Sequence, residues 1–401
     1  MSDTEVGVVG KPNVGKSTFF NALTLLDVPM APYPFTTITP NRGVSAVRAP
    51  CPHAQLGRTC TPGNARCLDG TRWVPVALVD VPGLVPGAHQ GKGLGHKFLD
   101  DLRQADGFVQ VVDLSGATDA EGRVVDPGTH DPAQEVGWLE EELVAWISEI
   151  LGRDFERQAR GVELEGKKIE EFLAQRLTGL SIPPSAISAA LRNSPVARDH
   201  PARWSPEQRV ALARDLLRTS KPRLVAANKC DRATKAQSTA LAQEIDPLPV
   251  VPTASDAELT LRRAARAGLV TYHPGDTSFT VKEPGRLNAA QTAALEEIRR
   301  VFHTWGTTGV QEALESTVFT RLGQMVVYPV EDETHWTDSK GRVLPDAFLV
   351  PAGLPARALA YRVHTDLGEQ FVRAIDGRTH RALAADHALE PNAVVRIVAR
   401  K

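Results

Sequence analysis

Apolar residues in this chain gather into short runs that end abruptly on polar or glycine-rich residues. Residues 6–9, 76–79, 108–114, 224–227 and 248–251 are such runs, and their length and β-branched content predict buried strands. A helix is expected over 18–26, directly after the first run. The apolar spacing changes to three and four residues over 136–151, which predicts an amphipathic helix, and Asp131-Pro132 supplies an N-cap and a first-turn proline. A heavily charged helix is expected over 154–177. Ser205-Pro206-Glu207-Gln208 combines an N-cap, a proline at the first helical position and a capping-box partner. Further helices are expected near 256–267 and 288–304, with Gly268 as the stop of the first. The chain then returns to short strands at 326–330, 347–350, 371–375 and 394–398, with a helix at 356–364, a ββαβ-type module.

The runs 108–114 and 224–227 belong to one sheet, yet about 100 residues separate them, far beyond the usual loop of roughly 2–6 residues. An inserted domain is therefore expected at 119–218, helical and resembling a coiled-coil hairpin. It divides a larger α/β domain into 1–118 and 219–318, and a third domain occupies 322–401. At 401 residues the chain is long enough for two or three cores. Its net charge of −2 and 23% charged residues do not call for a polyanion partner, so DNA is not expected. No run approaches membrane-spanning length and no leader-like segment precedes the first strand, so a cytoplasmic protein without a membrane partner is expected.

The polar residues that end the strands carry the chemistry. After the first strand comes Gly10-Lys11-Pro12-Asn13-Val14-Gly15-Lys16-Ser17-Thr18, which fits G-x-x-x-x-G-K-[ST]. The glycines let successive N–H groups face phosphate oxygens, Lys16 adds a point charge, and the Ser17 hydroxyl suits Mg²⁺. The run 76–79 ends in Asp80-Val81-Pro82-Gly83, where Asp80 can hold Mg²⁺ through water and Gly83 can offer its N–H to a γ-phosphate. The run 224–227 ends in Asn228-Lys229-Cys230-Asp231, and the Asp231 carboxylate matches the two N–H donors of guanine. Backbone N–H groups of Ala254 and Ser255 are candidates for the guanine O6. Between the first two motifs, Thr37, or its neighbour Thr36, is the candidate to complete Mg²⁺ coordination and sense the γ-phosphate.

With these residues in view, the chain resembles an Obg-family GTPase, closest to the archaeal-type members of the YchF branch. The stretches that carry the resemblance are GKPNVGKSTFFNALT, YPFTTITPN, DVPGLVPGAHQGKGLGHKFLDDLRQADG and VYPVED…DAFLVPAGLPARALAYRVHTDLG, the last similar to a TGS domain. The resemblance implies an α/β fold: a P-loop NTPase G domain with a mostly parallel sheet, an inserted helical domain and a C-terminal β-grasp (TGS) α+β domain. It also implies slow GTP hydrolysis to GDP as a Mg²⁺-dependent switch, with the ribosome or RNA as partner. Typical YchF proteins have a degraded NKxD motif and resemble ATPases; here the motif is intact, which favours guanine and leaves ATP as the alternative, alongside a nucleotide-stabilised binding scaffold. Leu84 stands where many small GTPases carry a water-orienting glutamine. Catalytic weight then falls on Lys16, Thr37 and Gly83, on Asn13 as a K⁺ ligand or a loop stabiliser, and on His89 and His96 as residues near the water.

A second cluster lies between the first two motifs. Cys51, His53, Cys60 and Cys67 fall within a Pro- and Gly-rich hairpin insert at 50–73. The set suits tetrahedral Zn²⁺, although one residue between Cys51 and His53 is shorter than the usual ligand spacing. Redox chemistry and simple burial are the other readings. The third strand must end at the nucleotide because Asp80 does, so the hairpin tip is expected at the far end of the sheet, away from the chemistry.

Overall fold

The computed structural model describes residues 4–25, 42–81, 103, 105–152, 154–180 and 182–400. It forms two units. The unit within 5–22 and 78–313 contains the parallel strands β1 (Glu5–Val9) and, after intervening elements, β5 (Gly107–Asp113), β6 (Arg223–Asn228) and β7 (Val250–Thr253). Each pairs in parallel with the next in the order β1-β5-β6-β7. Every residue of β5 and β6 is buried, as expected for strands covered on both faces. Helix α1 (Lys16–Thr24) follows β1.

Between β5 and β6 the described residues form five α-helices: α2 (Pro132–Gly152), α3 (Phe155–Glu165), α4 (Ile169–Arg176), α5 (Pro184–Asn193) and α6 (Pro206–Ser220). They form a bundle whose core runs on into the sheet through Val9, Val79 and Phe108, rather than a coiled-coil hairpin. Leu139, Leu143 and Ile147 of α2 meet Leu173, Ile187, Leu212 and Leu216, and the Phe155 and Trp204 rings stack at 5.4 Å. The expected single helix over 154–177 is two helices. Gly166 takes φ 64, its N–H bonds to the Glu163 carbonyl, and the Lys167 N–H bonds to Val162. This left-handed cap ends α3 despite the continuous charge pattern. The expected capping box of α6 is present, with Ser205 and Gln208 each bonding the other's backbone N–H. After β6 come α7 (Lys235–Glu244), α8 (Ser255–Arg266) and α9 (Ala289–Trp305). A short hairpin of β8 (Val270–Thr271) and β9 (Thr280–Val281) lies between α8 and α9. Its two-residue strands were too brief to leave a period in the sequence.

The other unit draws on 1–4, 23–77 and 314–401. It holds β2 (Arg42–Pro50), β3 (Arg66–Leu68) and most of β4 (Thr71–Asp80). Strands β3 and β4 form a tight antiparallel hairpin that pairs Cys67 with Arg72. Its two-residue turn is Asp69-Gly70, both at positive φ, the pattern of a type I′ turn. The C-terminal part is a five-stranded mixed sheet in the order β11-β10-β14-β12-β13, from β10 (Gln324–Val330), β11 (Phe348–Pro351), β12 (Phe371–Asp376), β13 (Ala382–Leu383) and β14 (Val394–Ala399). Helix α10 (Ala356–Val363) buries Leu359 against Met325, Val327, Val350 and Val395. The central β10–β14 pair is parallel and its flanking pairs are antiparallel, the arrangement of a β-grasp sheet.

Candidate nucleotide site and cysteine cluster

The phosphate loop follows β1 as the sequence led one to expect, and its shape is set by non-local atoms. Gly15 has φ +92, and a Cβ there would stand 2.3 Å from Asn228 Nδ2, so only glycine fits. Asn228 explains the closeness. Its Nδ2 donates to the Val14 carbonyl at 2.8 Å, and its Oδ1 accepts from the Ser255 hydroxyl at 2.7 Å and the Ser255 N–H at 3.1 Å. One buried amide therefore ties the phosphate loop to the start of α8.

One magnesium candidate, Asp80, meets the loop lysine. Lys16 Nζ lies 2.8 Å from Asp80 Oδ1, and Ser17, one residue on in the first turn of α1, is exposed. A lysine and a carboxylate at the mouth of a loop rimmed by helix N–H groups suit a phosphate chain and its cation. Asp231 lies in the short turn after β6; its only recorded ion-pair partner among the described residues is Arg232, at 3.6 Å. Together with Asp256 and Trp305 it lines a cleft of about 580 Å³. Thr36, Thr37, Gly83, Leu84, His89 and His96 lie outside the described residues.

Three expectations change in detail. The Ala254 N–H donates to the Thr308 carbonyl and the Ser255 N–H to Asn228, so both groups proposed for guanine O6 are engaged by the protein. Asn13, at φ 65, donates from Nδ2 to the Gly122 carbonyl at 2.8 Å, so its amide braces the loop. The Lys11 side chain is buried and turns inward: Nζ donates to the Thr118 carbonyl at 2.7 Å and approaches Glu135 Oε1 to 2.6 Å.

Sequence reasoning missed the residues beneath the loop. Glu135, in the first turn of α2, is buried with neither carboxylate oxygen in an aligned hydrogen bond. The Lys11 approach is thus a charge contact, and burial outweighs it, pushing the Glu135 carboxyl up to about 8. Asp113 ends β5 fully buried and receives Lys229 Nζ at 2.8 Å, the Ser115 hydroxyl and N–H, and the Thr118 hydroxyl. Burial opposes its ionisation, but those donors prevail and hold its carboxyl below the usual carboxylate range. Lys229, at φ 60, is thereby anchored beside Asp231. The available signal was the one that marked Asp80: an aspartate ending an apolar strand. Below the start of α8, Glu258 is fully buried, joined to Arg262 at 2.7 Å, to the Tyr272 hydroxyl and to the Thr308 hydroxyl. It fixes the loop whose carbonyl holds Ala254.

In the other unit, the four ligand atoms of Cys51, His53, Cys60 and Cys67 lie within 4.8 Å of one another, a group able to hold a metal ion. The short Cys51–His53 spacing is no obstacle, because Pro52 begins a 3-10 turn (Pro52–Leu56) that folds His53 back. Cys67 arrives from the β3–β4 hairpin, its Sγ 3.6 Å from His53 Nδ1. The cysteines are free, with Cys51 and Cys60 Sγ atoms 3.9 Å apart, so no disulfide joins them.

No helix among the described residues is long and apolar enough to cross a membrane. Family profiles match in three places: 50S ribosome-binding GTPase over 5–146, Obg-like GTPase YGR210-like, G4 motif-containing domain, over 226–332, and TGS domain over 340–399. A GTP-binding protein of Methanocaldococcus jannaschii is 44% identical over 98% of both chains, and one of Schizosaccharomyces pombe is 34% identical over 90% of both. The crystal structure of a GTP-binding protein from Pyrococcus horikoshii OT3 superposes with a TM-score of 0.81 at 36% identity, covering 99% of this chain and 100% of that one. The ribosome-binding ATPase YchF of Haemophilus influenzae is 37% identical over 40% of this chain and 42% of its own. A phosphate loop on a parallel sheet, a C-terminal TGS domain and near full-length likeness to these proteins place the chain in the Obg-like family of GTP-binding proteins.

Proposed function

We propose that the protein binds GTP with Mg²⁺ and hydrolyses it slowly to GDP and phosphate, as a switch acting on the ribosome. The observation that carries the base assignment is Asp231, a half-exposed carboxylate beside a lysine locked by Asp113 and an asparagine locked by the phosphate loop. Two parallel N–H donors on guanine match one carboxylate; adenine lacks that pair. Lys16 and the N–H groups at the start of α1 would bind the β- and γ-phosphates, and Ser17 and Asp80 would hold Mg²⁺, which neutralises charge on those phosphates. Thr37 and Gly83 are assigned the γ-phosphate contacts on sequence grounds. Asn13 Nδ2 is committed to Gly122, so any K⁺ bound there would use Oδ1.

Calorimetric titration of GTP and ATP into the wild type and Asp231→Asn tests the base assignment. GTP should bind the wild type more tightly, and the substitution should erase the preference. Tighter ATP binding by the wild type would overturn it in favour of the second reading, an ATPase, which the names of the partly matching relatives support. Comparing ribosome binding with GDP and with a non-hydrolysable GTP analogue tests the switch, since ligands with equal effects shift no population.

A further inference from the structure

Arg72 is the largest fully buried side chain among those described. Its guanidinium is permanently charged, yet Nε and Nη1 have no hydrogen-bond partner. The Nη2 group donates to the Leu344 carbonyl at 2.8 Å and lies 3.6 Å from Cys51 Sγ, and the cation sits 5.5 Å from the centre of the Tyr328 ring. Among the described residues no carboxylate forms an ion pair with it, and the partly buried Asp346 carboxylate acts on it only from a longer distance. A buried cation is costly without a close anion, and the group in direct contact that can become one is the Cys51 sulfur at 3.6 Å.

The cysteine cluster can supply it. Ligands about 2.0–2.3 Å from a tetrahedral zinc lie roughly 3.5–3.8 Å from one another. The observed separations of 3.9 Å between Cys51 and Cys60 sulfurs and 3.6 Å between Cys67 Sγ and His53 Nδ1 match the edges of such a tetrahedron. Three thiolates and a neutral imidazole around Zn²⁺ leave one net negative charge, equal and opposite to Arg72.

The cysteine loop is also strapped to the C-terminal β-grasp part of the same unit. Thr61 N–H donates to the Val343 carbonyl at 2.8 Å and Gly63 N–H to Pro345 at 2.6 Å. Asn64 both donates to the Ala347 carbonyl and accepts its N–H, at 3.0 and 2.9 Å. The Tyr328 hydroxyl donates to the Pro50 carbonyl. Apart from the Tyr328–Pro50 contact, which joins two strands, these partners lie in loop segments outside the named strands.

We propose that Cys51, His53, Cys60 and Cys67 bind one structural Zn²⁺, and that this anionic centre, paired with Arg72, clamps the 51–67 loop onto residues 343–347 of the C-terminal module. The thiolate-rich tetrahedral set selects zinc over hard cations, and Arg72 acts as the charge partner behind the ligands.

The test uses the full-length protein from zinc-replete cells. Elemental analysis should give one zinc per chain. Amide hydrogen exchange at Thr61, Gly63 and Ala347 should accelerate at least a hundredfold once a strong chelator has stripped the metal, and zinc readdition should reverse the change. Arg72→Met should release zinc to chelator at least tenfold faster than the wild type, with Arg72→Lys between the two. Because the Arg72 variants remove packing as well as charge, the wild-type measurements stand independently of them. Protein that carries no zinc, carries iron instead, or contains a Cys51–Cys60 disulfide would overturn the proposal. So would exchange rates at those amides that do not change after zinc is removed.

Discussion

The phosphate loop and the cysteine loop are both irregular segments adjoining strands of α/β architecture, and they achieve order by opposite means. The phosphate loop is built from backbone. Glycines and helix N–H groups form the cradle, and a single amide, Asn228, pins it from beneath. The cysteine loop is built from side chains. Its backbone is held by four soft ligand atoms, one buried cation and a strap of hydrogen bonds to 343–347. A backbone cradle needs a fixed local spacing and so leaves a strict motif. A side-chain cluster needs only that its members meet in space, so its spacing can be loose.

The sharpest way to separate the two is Lys16→Ala. It should weaken GTP binding by about 3 kcal/mol, roughly a hundredfold, by removing a charge-assisted phosphate contact. Amide protection at 343–347 should stay at the wild-type level, and a loss there would break the comparison. Asp231→Asn should cost about 2 kcal/mol of GTP affinity, about thirtyfold, with ATP affinity nearly unchanged; equal losses for both nucleotides would show that the base is not read there.

Glu135 sharpens the comparison differently, because it shows that the backbone cradle also rests on a buried ionisable group. Folding raises its carboxyl from 4.5 to about 8. A raised folded-state value means the contribution is full below about pH 4.5 and is lost as pH rises toward 8. Stability should therefore fall across that window by up to about 1.4 kcal/mol per pH unit. Denaturant titrations of Glu135→Gln should show a flatter profile; an unchanged slope would assign the effect to another group. The smallest effect is expected from Asn64→Ala, which removes two hydrogen bonds to Ala347. Local opening at 343–347 should become easier by about 1–2 kcal/mol, read by hydrogen exchange, while GTP affinity is unaffected.

Legibility followed the same division. The strands that end at Asp80 and Asn228, the capping box at Ser205 and the helix stop at Gly268 were all readable, because each depends on residues within one or two turns of chain. The break at Gly166 was missed because continuous charge spacing masked a single left-handed residue. Ala254 and Ser255 follow a strand as expected, but the partners of their N–H groups, Thr308 and Asn228, lie 54 and 27 residues away. No local pattern encodes such distances. The same holds for Lys11 and Glu135, and for Arg72 and Leu344.

What the sequence determined by itself was chemistry with a short period: a phosphate loop, strand-ending acids, a guanine-type motif and four soft ligands in one hairpin. Only the tertiary structure decided how those groups are used. It turned Lys11 inward to Thr118 and Glu135, committed Asn13 to Gly122, locked Lys229 on Asp113 and set a buried arginine against the Cys51 sulfur. The reason is that local backbone preferences act over a few residues, whereas burial and charge compensation are settled by whichever distant groups the packed chain brings within a few ångströms.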